Sequence, residues 1–268
     1  MRETAYAKIN LALHVRRRRD DGYHELETLF AFVDDGDVLV ATPSDADRLQ
    51  ILGEFGGALA DPSGNIVAQA LSALPRPGGL AITLEKRLPV AAGLGGGSAD
   101  AGAVFRMVGR RHGLPDDWQE RAAKLGADVP ACVESVACIG TGTGTELCKI
   151  DNDLSGEAVL LVNPRVALPT GPVFAGWDGL DHGGLSEGPA SEIARRGRND
   201  LEPAAIALRP VIGTVLTALR GTAAWLVRMS GSGATCFALF DSEETRDTAF
   251  AQIATDHPEW WQMAGKLR

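Results

Sequence analysis

The chain has 268 residues, of which 45% are hydrophobic and 23% are charged, and its formal net charge is −9. This composition is typical of globular proteins, and the acidic balance disfavours general nucleic-acid binding, which depends on clustered Lys and Arg. The length favours one large or two medium α/β domains, and we expect two.

The opening of the chain alternates between apolar and mostly polar residues from 5 to 15, which predicts a half-buried β-strand. Because side chains alternate with a period of two, Lys8 and Asn10 share one face, roughly 7 Å apart. Any group that faces Lys8 therefore also faces Asn10.

The next elements are predicted from the spacing of apolar residues and from glycines that end them. In chain order they are a loop at 16–24, a strand at 26–33, a helix at 66–74, a strand at 80–84, a glycine loop at 89–97, a helix ending at Gly113, a helix at 116–125, and a turn at 140–145 between strands. We expect the first domain to span residues 1–150.

The pattern restarts in the second domain, which we expect to span residues 151–268. Its predicted elements are a buried strand at 159–162, an irregular glycine-rich region at 171–188, a helix at 203–219, strands at 224–228 and 236–240, a helix at 243–254, and a last strand near Trp260. This order resembles a split β-α-β arrangement.

Two classes of site and location are disfavoured by the sequence. No run approaches the roughly 20 apolar residues of a membrane span, and the apolar stretch 9–15 precedes rather than follows its basic residues, unlike a signal peptide. We therefore expect a cytoplasmic protein with no membrane partner. The four cysteines show neither C-x-x-C spacing nor a histidine motif for zinc, so no metal site is predicted.

The strongest single feature is the sequence LPVAAGLGGGSADAG at residues 88–102, where glycines run into Ser98 and an apolar helix. Such a loop can turn successive N–H groups inward, and the start of the helix adds the positive end of its dipole, which together favour a polyphosphate. It matches neither G-x-x-x-x-G-K-[ST] nor G-x-G-x-x-G. Tight packing of a strand on a helix is the alternative explanation.

Two weaker features carry open alternatives. Gly231 and Gly233 lie between two apolar strands, which is typical of a hairpin turn but also allows a second phosphate contact. Asp128 stands in the apolar run LGADVPACV, either as a helix cap or turn residue, or as a functional carboxylate that requires a nearby cation such as Lys8.

A kinase must place a hydroxyl in line with the γ-phosphorus, accept its proton and offset charge on the moving phosphoryl group. Asp128 could accept the proton, and Lys8 could orient the hydroxyl and the γ-phosphate. The spacing does not establish whether the two side chains meet.

At this point the chain resembles the galactokinase, homoserine kinase, mevalonate kinase and phosphomevalonate kinase (GHMP) superfamily. Its three motifs occur in order, as AKINLAL from residue 7, PVAAGLGGGSADAG from residue 89 and SGSGATCFALF from residue 230. Four further motifs, DGYHEL, GADVPAC, LPTGPVF and NDLE, resemble members that act on a cytidine-diphosphate-linked polyol.

The resemblance implies an α+β fold, with an N-terminal ribosomal-protein-like domain and a C-terminal ferredoxin-like domain that contributes to the substrate cleft. It implies Lys8 and Asp128 as the catalytic pair, and ATP with Mg²⁺ as co-substrate. The residues implied to bind ATP are Pro89, Ala92, Gly93, Leu94, Gly95, Gly96, Gly97 and Ser98.

The resemblance also implies the residues that bind the second substrate. Tyr23 and Phe174 are expected to stack on the two faces of cytosine, and His24 to hydrogen-bond to its edge. Asn10 and Thr170 are expected to lie nearby. The expected partners are small molecules and not nucleic acid, and the sequence does not predict an oligomeric state.

Two other functions stay open at this point. A sibling kinase for mevalonate, homoserine or a sugar would share the glycine loop but would not need an aromatic clamp for cytosine. A non-catalytic nucleotide sensor or RNA-binding module is suggested by the ribosomal-protein-like fold and by the arginines at 16–19. The presence of both Lys8 and Asp128 argues against the sensor, and the net acidity argues against RNA.

Overall fold

The computed structural model describes residues 1–59 and 64–268, which form two compact units. The first unit comprises Met1–Lys8, Asp35–Val90 and Gly95–Ser135, and the second comprises Ile9–Asp34, Ala91–Leu94 and Val136–Arg268. The long strands β1 (Arg2–Arg18) and β2 (His24–Ser44) pair with each other. Both strands run through the two units, so the units interleave along the chain.

The first unit combines a small sheet with helices. Its other elements are β3 (Arg48–Leu52), α1 (Ile66–Ala73), β4 (Gly79–Glu85), α2 (Gly96–His112), α3 (Trp118–Leu125) and α4 (Val129–Glu134). The end of β2 pairs antiparallel with β4, from Val38 opposite Glu85 to Ser44 opposite Gly79, and β3 pairs parallel with β4. Helix α2 packs against α1 and α4, and its predicted apolar face is buried.

The second unit is built on a four-stranded antiparallel sheet in the order β10-β7-β9-β8. Its elements are β5 (Cys138–Thr141), β6 (Glu146–Lys149), β7 (Ala158–Asn163), α5 (Thr170–Ala175), α6 (Ala190–Arg196), α7 (Glu202–Leu208), α8 (Val211–Arg220), β8 (Leu226–Met229), β9 (Cys236–Phe240), α9 (Glu243–Asp256) and β10 (Trp261–Lys266). The core lies between this sheet and its helices, with Leu160, Leu216, Phe240 and Ile253 all buried. The first part of β2 pairs with β5, and β5 pairs with β6.

Most predicted elements are present, but the description of the opening strand as half-buried is wrong. Residues 7–15 are all buried, including the polar Lys8, Asn10 and His14. These polar side chains can be buried because each meets a polar partner, as a buried polar group requires. Strand β1 also continues to Arg18, two residues into the segment predicted as a loop.

Two predictions in the second half need correction. Residues 171–188 are not irregular throughout, since the short helix α5 occupies Thr170–Ala175. The single helix predicted at 203–219 is two helices, α7 and α8, because Pro210 lies between them and disfavours helical backbone at Arg209. The elements β3, α4 and α6 were not predicted, and each is seven residues or shorter.

The expected domain division at residue 150 concerns family domains rather than compact units, and it stays a prediction. Within the described ranges, none of the helices combines the length and the apolar character needed to cross a bilayer.

Candidate active site

Lys8 and Asp128 meet in the first unit, although 120 positions separate them in the sequence. Nζ of Lys8 lies 2.9 Å from Oδ2 of Asp128. The lysine side chain is 5% exposed, whereas the aspartate side chain is 31% exposed. The ammonium is therefore held inside the protein, and the carboxylate can be reached by a ligand.

The position of Asp128 distinguishes between its two interpretations. It is the N-cap residue of α4, but its side chain makes no capping hydrogen bond. The carboxylate pairs with the buried lysine instead. A residue kept only as a cap would donate its oxygen to the backbone N–H groups of the first turn, so the geometry favours the functional interpretation.

In the first unit the glycine loop lies directly against this pair. Gly95 has φ of 59° and is the N-cap of α2. A Cβ built on Gly95 would lie 2.9 Å from Cε of Lys8 and 3.7 Å from Oδ2 of Asp128. Both the left-handed backbone and the close approach therefore require glycine at this position.

Helix α2 begins at Gly96, and its first hydrogen bond runs from the N–H of Ala99 to the carbonyl of Gly95 at 2.8 Å. The N–H groups of Gly96, Gly97 and Ser98 therefore precede the first intrahelical bond and point out of the helix start. Ser98 lies in the first turn and does not cap the helix, as the sequence had allowed. An anion at this position would meet three amides and the positive end of the helix dipole.

The beginning of the loop is fixed within the second unit. Ser230 Oγ donates to the carbonyl of Gly93 at 2.7 Å, and the N–H of Thr235 donates to the carbonyl of Ala92 at 3.1 Å. A Cβ on Gly93 would lie 2.3 Å from the carbonyl oxygen of Ser230, so no other residue fits there. The segment that joins β8 to β9 is a hairpin connection, as predicted, and it also holds the loop in place.

Asn10 is buried in the second unit in a network of hydrogen bonds. Its Nδ2 donates to Oγ1 of Thr28 at 2.8 Å, and its N–H donates to Oγ of Ser230 at 3.2 Å. A Cβ on Gly231 would lie 3.2 Å from Oδ1 of Asn10. Asn10 therefore lies beside the glycine hairpin, next to the residues that support Gly93.

His24 and Phe174 lie together in the second unit. Their ring centroids are 4.9 Å apart with a tilt of 38°, and His24 also meets Trp177 edge-on at 5.7 Å. Burial, followed by the charge of Arg18, lowers the pKa of His24. A neutral imidazole can donate from one nitrogen and accept at the other.

Tyr23 is placed differently from the other predicted aromatic residue. Its side chain is 67% exposed, whereas Phe174 packs partly against the core. The backbone of Tyr23 is held by a hydrogen bond from its N–H to Oδ1 of Asp21 at 3.1 Å, which is the main reason that the pKa of Asp21 is lowered. The structure thus brings His24 and Phe174 together and leaves the tyrosine ring open to solvent.

The remaining predicted residues occupy two kinds of position. Thr170 begins α5, the helix that carries Phe174, and its hydroxyl lies 3.0 Å from that of Ser232. The side chains of Pro89, Ala92 and Leu94 are buried. These three residues therefore shape the loop from inside, and only their backbone could reach a nucleotide.

Several residues beside the predicted site had no predicted role. Asn199 donates from Nδ2 to the carbonyls of Met229 and Gly231, both at 2.8 Å, and so supports the hairpin. Asn199 and Ser230 lie in the motifs NDLE and SGSGATCFALF, so the motifs marked them without giving their function. Trp177 had only a weak signal, an aromatic residue three positions after Phe174 at helical spacing.

Comparisons with known proteins agree on one family. Residues 65–136 match the GHMP kinases N terminal domain, and residues 186–258 match the GHMP kinases C terminal domain. The 4-diphosphocytidyl-2-C-methyl-D-erythritol kinase of Novosphingobium aromaticivorans is 69% identical over 100% of this chain and 93% of its own length. The enzyme of the same name from Erythrobacter litoralis is 64% identical over 99% of both chains.

Solved structures agree with the sequence comparison. A crystal structure of 4-(cytidine 5'-diphospho)-2C-methyl-D-erythritol kinase is 33% identical and covers 100% of this chain and 99% of its own, with a TM-score of 0.83. A homoserine kinase from Cytophaga hutchinsonii shares the fold at 18% identity, with a TM-score of 0.71 over 100% of this chain and 94% of its own. The predicted α+β GHMP kinase fold is therefore confirmed. The chain belongs to the GHMP kinases and, among them, to the 4-diphosphocytidyl-2-C-methyl-D-erythritol kinase family.

Proposed function

We propose that this protein transfers the γ-phosphate of ATP to the 2-hydroxyl of 4-diphosphocytidyl-2-C-methyl-D-erythritol, a step in the non-mevalonate route to isoprenoid precursors. The observation that carries the proposal is the ion pair of Lys8 and Asp128, which lies against Gly95 of the glycine loop. The names of the relatives support the choice of acceptor.

In the proposed reaction Asp128 accepts the proton of the acceptor hydroxyl. The oxygen of that hydroxyl then forms a bond to the γ-phosphorus, and the bond to the β-phosphate oxygen breaks, which releases ADP. The buried ammonium of Lys8 orients the carboxylate and offsets negative charge on the transferred phosphoryl group. The 2.9 Å contact between the two side chains supports this division of roles.

The glycine loop is the proposed site of the ATP phosphates. The amides of Gly96, Gly97 and Ser98 at the start of α2, together with the left-handed Gly93 and Gly95, support this assignment. The Ser98 hydroxyl is an oxygen of the kind that Mg²⁺ accepts as a ligand. Mg²⁺ bound to ATP usually keeps several waters and takes only one or two protein ligands, so it needs no dedicated cluster of carboxylates.

The proposed site for the cytidylyl group lies around His24. Its ring contact with Phe174 supports a shared role, with His24 hydrogen-bonded to the edge of cytosine and the phenyl ring on one face. The exposed ring of Tyr23 is the proposed partner for the other face. Asn10 and Thr170 are the proposed polar contacts of the same substrate.

A sibling kinase activity is the second candidate, since solved mevalonate kinases share this fold. Their identity to this chain is only 12%, which supports the fold and not the substrate. The aromatic residues around His24 favour the cytidylyl acceptor over mevalonate, because a small aliphatic acid offers no ring to stack.

The test is an assay of ADP release with purified protein, ATP and a panel of acceptors. We expect turnover with 4-diphosphocytidyl-2-C-methyl-D-erythritol and none above background with mevalonate, homoserine or galactose. The position of the new phosphate on the product is then established by phosphorus NMR. Turnover of mevalonate without turnover of the cytidylyl polyol would contradict the proposal.

A further inference from the structure

Three buried charged residues cluster beside the start of α2 in the first unit. Lys86 follows β4, Asp37 lies on β2 and Asp100 lies on α2, and they are 2%, 0% and 2% exposed. Nζ of Lys86 donates to Oδ2 of Asp100 at 2.7 Å and also to Oδ2 of Asp37. One cation and two carboxyl groups therefore share a site without solvent.

The cluster contacts the glycine loop through Gly96. A Cβ built on Gly96 would lie 3.5 Å from Nζ of Lys86 and 3.8 Å from Oδ2 of Asp37. Oδ1 of Asp37 accepts hydrogen bonds from the N–H groups of Arg87 and Leu88, at 2.6 Å and 2.9 Å. The same carboxylate thus fixes the chain that leads into the loop, while Asp100 fixes the helix that leaves it.

The surroundings of Asp100 favour its neutral form. Oδ1 of Asp100 is buried and has no hydrogen-bond partner among the residues described, so an ionised carboxylate would be poorly stabilised. Burial raises the pKa of Asp100 to about 8, since the charge of Asp37 adds to the effect and outweighs what remains of the opposing effect of Lys86. Burial alone would lower the pKa of Lys86, but the two carboxyl groups raise it overall.

We infer that Asp37, Lys86 and Asp100 are positioning residues for ATP: they fix the start of α2 and prevent a net negative charge beside the glycine loop. The inference rests on the proposed function, because it takes this loop as the site of the ATP phosphates. With Asp100 protonated, one ammonium balances one carboxylate. Loss of the proton leaves one uncompensated negative charge near Gly96, and such a charge should weaken binding of a polyphosphate by on the order of tenfold.

Other charged groups face this part of the first unit. Arg87 follows Lys86 and forms ion pairs with Glu85 and Asp35. Lys8 and Asp128 lie against Gly95 on the adjoining turn of the loop. A pH profile of the unmodified protein includes all of these groups, so the test compares variants at each pH.

The experiment measures the dissociation constant of ATP by calorimetry, without acceptor, at pH 7 and pH 9. In the unmodified protein we expect binding to be about tenfold weaker at pH 9. In Asp100→Asn the ratio between the two pH values should stay near one, because an amide has no proton to lose in this range. The matched control is Asp116→Asn, an exposed residue, which should keep the tenfold ratio.

An Asp100→Asn variant that binds ATP with the same pH dependence as the unmodified protein would overturn the inference and leave the proposed function intact. Failure of the unmodified protein to bind ATP at pH 7 would overturn both. A second variant, Lys86→Met, leaves two carboxyl groups without a cation and should weaken ATP binding at pH 7 by more than about tenfold. If that variant does not fold, the pH ratio of Asp100→Asn still decides.

Discussion

At the scale of single residues, the pairing of Lys8 with Asp128 is the feature on which the chemistry depends. The sequence identified both residues and left open whether they meet, because contacts between distant positions are made by tertiary packing and not by local spacing. The structure brings them to 2.9 Å within one compact unit. The same contact explains why Asp128 does not use its carboxylate as a helix cap.

Replacing Asp128 by Asn should lower kcat by about 10²- to 10⁴-fold, since the amide cannot accept the proton of the hydroxyl. Binding of ATP should change little, because the amides of the glycine loop are untouched. Steady-state kinetics and calorimetry measure the two effects separately. The control is Asp117→Asn, which removes an exposed carboxylate paired with Arg121. Near-normal turnover in Asp128→Asn would contradict the assigned role.

Replacing Tyr23 by Ala should raise the KM of the cytidylyl substrate by an amount that corresponds to about 1–3 kcal/mol of lost stacking. The melting temperature and the KM of ATP should not change, because the ring is 67% exposed and supports no core. Phe250→Ala, on the exposed side of α9, is the control for loss of an exposed ring. An unaltered KM for the cytidylyl substrate would remove Tyr23 from the site.

At the scale of elements, regular periodicity was a reliable guide and context was needed for the rest. The predicted strand at 236–240 coincides with β9, and Gly113 and Gly126 are the C-caps of α2 and α3 as expected. Alternation in β1 predicted which side chains share a face, but it could not reveal that both faces are covered. That depends on partners far along the chain, such as Ser230 for Asn10.

Replacing Gly95 by Ala should damage the junction between the glycine loop and α2. The left-handed backbone costs an L residue about 1–2 kcal/mol, and the new Cβ would lie 2.9 Å from Cε of Lys8. We expect lower stability and a fall in kcat of about 10²-fold, since a displacement of about 1 Å at a reacting group has that effect. Chemical denaturation and kinetics measure both.

The matched control is Gly78→Ala, where the added Cβ would meet nothing within 4 Å. It should leave kcat and stability close to those of the unmodified protein. Equal behaviour of the two variants would mean that Gly95 is not constrained by Lys8.

At the scale of the whole molecule, the family motifs predicted more than periodicity did. They pointed to Lys8, Asp128 and the glycine loop, and the structure brings the first two together. They did not point to the cluster of Asp37, Lys86 and Asp100, because a buried ion pair between three elements has no local signature. His14 is a further case, a buried residue whose partners lie near positions 183 and 198.

The stability of the protein should depend on pH through His14. Its Nδ1 donates to the carbonyl of Gly183 and its Nε2 accepts from the N–H of Arg198, so the neutral ring fits. Burial, and then the charge of Arg198, lowers the pKa of His14. The unfolded chain therefore binds more protons below pH 6.5, and stability is lost as the pH falls from 6.5 through the lower pKa of the folded state.

Denaturation by urea at pH 7, 6 and 5 tests this expectation. His14→Gln should be less stable than the unmodified protein at pH 7, by about 1–3 kcal/mol for the lost hydrogen bonds, but should lose less stability on acidification. His112→Gln, an exposed residue, should follow the unmodified protein. An identical pH slope in His14→Gln and the unmodified protein would contradict the assignment.

The placement of Lys8 and Asn10 on one strand limits how this enzyme family can change in length. A single residue inserted or deleted between positions 8 and 10 would turn every later side chain of β1 to the other side of the sheet. The surface segments that follow α5 can accept such changes, since loops tolerate insertions. Homologues should therefore differ in length in those segments, while the interval from lysine to asparagine stays two residues in all of them.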